Sequence, residues 1–96
     1  MNYFHRTHLS PDEAVASAAR YFGARLGPTE ELPRRRSFAG PIGQVTVSVA
    51  AEGGHYTLVT LRTDQPGESE IDRLAKRFLT LLHTAAEPGH RPIGAY

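Results

Sequence analysis

The chain has 96 residues, 40% of them hydrophobic, with no cysteine and with eleven basic residues against ten acidic ones. That length suits a single domain with one core, and the lack of thiols excludes disulfides, thiolate metal sites and a cysteine nucleophile. The near balance of charge gives no general attraction to nucleic acid or anionic lipid, and no run approaches the roughly 20 apolar residues of a membrane span.

Tyr3 to Leu9 reads as a short strand, with Tyr3, His5, Thr7 and Leu9 on one face and Phe4, Arg6 and His8 on the other. Ser10-Pro11-Asp12-Glu13 carries the residues of a capping box, with proline at the first helical position. Its acids suit the positive end of a helix dipole. Val15, Ala18, Ala19, Phe22 and Leu26 follow at helical spacing. Gly27-Pro28 is expected to end that helix, with Arg25 in its last turn.

Thr29 to Arg36 reads as a polar connection, and a strand is expected near Arg35 to Ala39. Gly40-Pro41-Ile42-Gly43 is a turn signal. Gln44 to Ala51 alternates, with Val45, Val47 and Val49 on one face, and His55 to Thr63 is the returning strand. A two-residue Gly53-Gly54 loop would set Val47 opposite Thr60 and Val45 opposite Arg62. A three-residue Glu52-Gly53-Gly54 loop sets Val47 opposite Val59 and Val45 opposite Leu61. The second gathers the aliphatic residues on one face, and Gly54 supplies the left-handed position such loops want, so this register is expected. The opposite face then carries Gln44, Thr46, Ser48, Ala50, Tyr56, Leu58, Thr60 and Arg62.

After a turn at Asp64 to Gly67, the spacing predicts a helix from Glu68 to Ala85, with an apolar stripe of Ile71, Leu74, Phe78, Leu81, Leu82 and Ala85. Asp72 and Lys76 form a favourable pair one turn apart, and Glu68, Glu70 and Asp72 sit near the positive end of the dipole. Residues 1–86 are expected to form one domain, and the turn-rich stretch 87–96 a flexible C-terminal tail. The fold class is α+β, in the order β-α-β-β-β-α: an antiparallel four-stranded sheet with two helices on one face.

Two stretches carry a family resemblance. Phe4-His5-Arg6-Thr7-His8-Leu9-Ser10-Pro11-Asp12-Glu13-Ala14-Val15 resembles the opening of START-like helix-grip proteins, the polyketide cyclase and lipid-transfer class. The close is also similar, a strand ending in Leu61-Arg62 and then a long amphipathic helix with Phe78 and Leu82. The resemblance covers about half the chain, in a shortened form, and implies an apolar ligand held between the sheet and the last helix. The same element order also resembles one half of a TATA-binding-protein-like unit.

Five histidines invite a metal. His5 and His8 face opposite sides of a strand, His83 suits a helix C-terminus, His55 flanks the hairpin loop and His90 lies in the tail, so no metal site is expected. Arg34, Arg35 and Arg36 form the densest charge and a possible anion contact, with Arg25 and Arg62 as support and Glu30 and Glu31 as neutralising neighbours. No nucleophile elbow or phosphate-binding glycine loop occurs, and no catalytic residue or cofactor is assigned. The uncovered sheet face is the strongest functional signal. Tyr56, Leu58, Ser48, Thr46 and Arg62 make it a ligand or partner face, because tyrosine and arginine together are typical of interface centres.

The reading is a small non-enzymatic binding or assembly module, a homodimer through its sheet. A reduced helix-grip domain binding an apolar small molecule, and a nucleic-acid accessory module using the arginine run, are the alternatives. Ten of the eleven basic residues are arginine, a bias that a GC-rich genome and selection for a persistent charge would each produce. Met1-Asn2-Tyr3-Phe4-His5 lacks the basic-then-apolar order of a signal peptide. A cytoplasmic, bacterial protein is therefore expected.

Overall fold

The computed structural model describes residues 1–86, with side chains through residue 84; the expected tail at 87–96, with His90, and the Ala85 side chain lie outside the described residues. The elements are β1 (Asn2–Thr7), α1 (Pro11–Gly23), β2 (Gly27–Leu32), β3 (Arg35–Gly40), β4 (Gly43–Glu52), β5 (Tyr56–Thr63) and α2 (Glu70–Ala86). All five strands pair antiparallel in the order β1-β5-β4-β3-β2. Both helices pack on one face of the sheet, α1 toward β3 and β4 and α2 toward β1, β4 and β5. The α+β class with an antiparallel sheet is as expected, but the sheet has five strands, not four.

The additional strand is β2, expected as a polar connection. Its sequence Gly-Pro-Thr-Glu-Glu-Leu has no apolar alternation because it lies at the sheet edge and five of its six residues are exposed. It exists because α1 stops earlier than expected, at Gly23. Ala24 caps the helix, and the Leu26 amide donates to the Phe22 carbonyl at 2.7 Å. Arg25 thus lies beyond the helix, where its guanidinium donates to the Tyr21 carbonyl at 2.7 Å and stacks 4.1 Å from the Tyr21 ring. At the other end of α1, Ser10 accepts from the Glu13 amide at 3.1 Å, the N-cap read from the sequence.

The β4–β5 hairpin turns one residue later than expected. Glu52 pairs with Tyr56, leaving Gly53, Gly54 and His55 in the loop, with Gly53 and Gly54 at φ +64° and +75°. Val47 therefore faces Leu61, and Val45 faces Thr63. The slip is two residues, an even number, so every side chain keeps the face assigned to it.

Phe22 of α1, Phe38 of β3 and Phe78 of α2 meet at the centre, all at most 3% exposed. The Phe22 ring lies 5.7 Å from Phe38 and 5.1 Å from Phe78. Val45, Val47, Val49, Val59 and Leu61 supply the sheet side of this core. Burying each large apolar side chain contributes roughly 1.5–3 kcal/mol. The space between α2 and the sheet is thus filled by side chains.

Two details of α2 differ from expectation. Leu81 is exposed, on the side of the helix beyond the core-facing stripe. Asp72 does not pair with Lys76; Lys76 Nζ lies 3.8 Å from Glu68, while Asp72 is fully buried beneath the sheet. Ser69 caps the helix, accepting from the Asp72 amide at 3.2 Å and donating to the Asp72 carboxylate.

Candidate functional site: the open sheet face

Alternation sends one set of strand residues into the core and the other to the helix-free face. There the registers place Phe4 beside Thr60, Thr60 beside Ser48, Ser48 beside Arg35 and Arg35 beside Leu32. A neighbouring row runs Asn2, Arg62, Thr46, Ser37 and Glu30. Arg6, Leu58 and Ala50 form a third, and Tyr56 stands at the hairpin end. Thr46, Ser48, Tyr56, Leu58 and Arg62 therefore share one surface. Phe4 and Leu32 join them, and the sequence did not single these out: Phe4 needed the position of β1, and Leu32 needed β2 itself.

The apolar members are well exposed, Phe4 at 64%, Leu32 at 47% and Tyr56 at 45%. Leu58, on β5 beside Arg6 and Ala50, is half-buried, while Leu32 lies across the sheet on the β2 edge. The His8 ring tilts against Tyr56 at 4.9 Å and holds it at the rim.

Most charge on this face is already paired. Arg35 donates to both carboxylate oxygens of Glu30, at 2.8 and 2.9 Å, which holds the Glu30 carboxyl below its ordinary pKa and the Arg35 guanidinium above its own. Ser37, covered by its neighbours, bridges Glu30 at 3.3 Å and Thr46 at 2.9 Å. Arg6 donates to Glu52. Arg62 makes no ion pair among the described residues; it borders a shallow polar concavity of about 400 Å³, lined also by Glu30, Gln44, Thr46 and Asp64.

The arginine run does not form a single patch. Arg35 lies on the open face, whereas Arg34 reaches Asp12 at the start of α1. Arg36 pairs across from core-facing Val47, and its guanidinium lies 3.9 Å from Glu31. Each arginine meets one acid, so the three present no concentrated positive field. Arg34→Ala and Arg36→Ala should leave any weak binding to single-stranded DNA unchanged at low salt. A loss of salt-dependent binding in a titration would show that the run contacts phosphate.

On the helix side, His5 and His83 approach edge to face with ring centroids 6.1 Å apart. Burial, and then the nearby His83, lower the His5 pKa. Among the described residues no three His, Cys, Asp or Glu side chains gather to hold a metal. An apolar concavity of about 360 Å³, lined by Tyr21, Phe78, Leu81 and Leu82, lies between the two helices rather than between α2 and the sheet. Among the described residues no helix is long and apolar enough to cross a membrane.

Asp72 is a buried carboxylate held from several sides. Burial works to raise its pKa, but hydrogen bonds from Ser69, Tyr3 and Thr63, together with the positive N-terminal amine, outweigh it and hold the carboxyl below its ordinary range. Tyr3 donates at 2.7 Å and Thr63 at 2.8 Å. The carboxylate thereby ties α2 to β1 and β5, and its acceptor sites are occupied from within the fold. That is the chemistry of a structural latch rather than of a reacting group.

No family model and no curated protein matches the chain.

Proposed function

We propose that this chain is a small, non-enzymatic assembly module that pairs with a second copy of itself through the open face of its sheet. The observation that carries this reading is the placement of Phe4, Leu32, Tyr56 and Leu58 on one uncovered surface. Its charges are largely matched within the chain by Arg35–Glu30 and Arg6–Glu52. Two such surfaces meet without like charges forced together, and the apolar side chains supply the driving force.

Size is consistent with the reading. Five strands about 4.8 Å apart and averaging about 24 Å long offer roughly 600 Å², toward the low end of the area that each partner buries in a stable interface. Aromatic residues and arginine, both present on this face, are enriched in such contacts.

The protein should behave as a dimer at micromolar concentration in equilibrium sedimentation. Leu58→Glu places a charge between Arg6 and Ala50 on this face, and should halve the solution mass with an unchanged far-ultraviolet circular dichroism spectrum. A wild-type monomer at the highest attainable concentration rejects self-association through this face.

A further inference from the structure

The two edges of the sheet are not equivalent. Thr63 N donates to the Met1 carbonyl at 2.9 Å, and the Met1 nitrogen donates back to the Thr63 carbonyl at 3.1 Å. That reciprocal pair fixes the phase of the β1–β5 ladder: residues 1, 3, 5 and 7 exchange hydrogen bonds with β5. The main-chain N–H and C=O groups of Asn2, Phe4 and Arg6 therefore point away from the sheet.

At the opposite edge, β2 is guarded. Pro28 has no amide hydrogen, the register breaks between Pro28 and Glu30, Glu31 adds charge, and Pro33 follows immediately. β1 carries no proline and no bulge, its six residues pair in continuous register, and its charged residue, Arg6, is neutralised by Glu52. An unguarded edge of this kind is a template for another strand.

We propose that the β1 edge pairs antiparallel with β1 of a second copy, joining two sheets into one of ten strands. The sequence of β1 selects this occupant because it is self-complementary. A two-fold axis at Phe4 sets Phe4 against Phe4 of the partner subunit, and Asn2 against Arg6 of the partner subunit. All three outward residues then exchange main-chain hydrogen bonds. No like charges meet, and the two exposed Phe4 rings form a cross-strand aromatic pair.

The edge proposal does not rest on face-to-face pairing, since its donors and acceptors lie in the plane of the sheet. If both contacts form, the edge axis runs normal to the sheet and the face axis lies within it. Where those two axes intersect, the perpendicular isologous contacts close as a four-copy assembly rather than an open fibre.

Amide hydrogen exchange read by NMR on the wild type tests this without any variant. The amides of Asn2, Phe4 and Arg6 should exchange slowly in the associated protein and fast on dilution. Phe4→Val keeps the donor and strand propensity and should keep the protection. Phe4→Pro removes an outward-pointing amide and no hydrogen bond to β5, and should halve the solution mass relative to Phe4→Val while retaining native circular dichroism. Fast exchange at all three amides in the associated protein overturns the proposal, and so does a folded Phe4→Pro variant with the mass of Phe4→Val. Leu58→Glu separates the two contacts. If it halves the mass while the β1 amides are fast in wild type, the face reading stands and the edge falls. Slow β1 amides with an unchanged Leu58→Glu mass give the reverse.

Discussion

Phe78→Ala should cost about 3–5 kcal/mol of folding stability, the usual loss for truncating a buried aromatic. Phe78 is 1% exposed, with its ring 5.4 Å from Tyr21 and 5.1 Å from Phe22. It joins α2 to α1 and to the sheet at once, so no single neighbour can move in to fill the gap. For a domain whose total stability is about 5–15 kcal/mol, the variant should unfold at markedly lower urea. The measurement also bears on the helix-grip alternative. A ligand chamber under α2 would leave Phe78 lining a void, and its truncation would then change dye binding more than stability. A small shift in the urea midpoint, coupled to a large loss of apolar dye binding, would contradict the packed core.

What could be read from the sequence divides along physical lines. α1 announced its start because Ser10 through Glu13 hold the capping residues locally. Faces of β4 and β5 were legible because alternation is a property of each strand alone, and they survived a hairpin that turned one residue later. The register itself was not, because nothing local separates Glu52 from His55 as the third loop residue. β2 was invisible for a related reason: an edge strand bonds on one side only, and its proline and glutamates disfavour further pairing. On the site, Tyr56, Leu58 and Arg62 were found from the β4–β5 hairpin, while Phe4 required knowing that β1 lies beside β5. Asp72 illustrates a missed local signal. Ser69-Glu70-Ile71-Asp72 is a capping pattern, which places Asp72 in the first turn and turned toward Ser69 rather than toward Lys76.

Asp72→Ala should cost about 3 kcal/mol, because it takes the acceptor from the Tyr3 and Ser69 hydroxyls and leaves the buried Thr63 hydroxyl only the longer bond to the Gln65 carbonyl at 3.3 Å. The effect has a pH signature that a purely steric role lacks. The folded pKa of Asp72 lies below its ordinary value of 3.8, so near that value the unfolded chain binds the proton more readily. Its stabilisation is complete above the ordinary carboxyl range and is lost as pH falls through that range toward the lower folded value. Tyr3 acts at the alkaline end. Burial first, then the hydrogen bond to Asp72, push its pKa up to about 12, so its contribution holds below about 10 and is lost as pH rises from there toward 12. Asp72→Asn keeps an acceptor and much of the packing but cannot ionise. Urea midpoints should therefore fall less steeply on acidification in Asp72→Asn than in the wild type. Tyr3→Phe should flatten the alkaline limb and, by removing one of the bonds that hold the Asp72 carboxyl down, soften the acid limb as well. Identical acid limbs in wild type and Asp72→Asn would assign the acid sensitivity to the surface carboxylates and leave Asp72 as a packing residue.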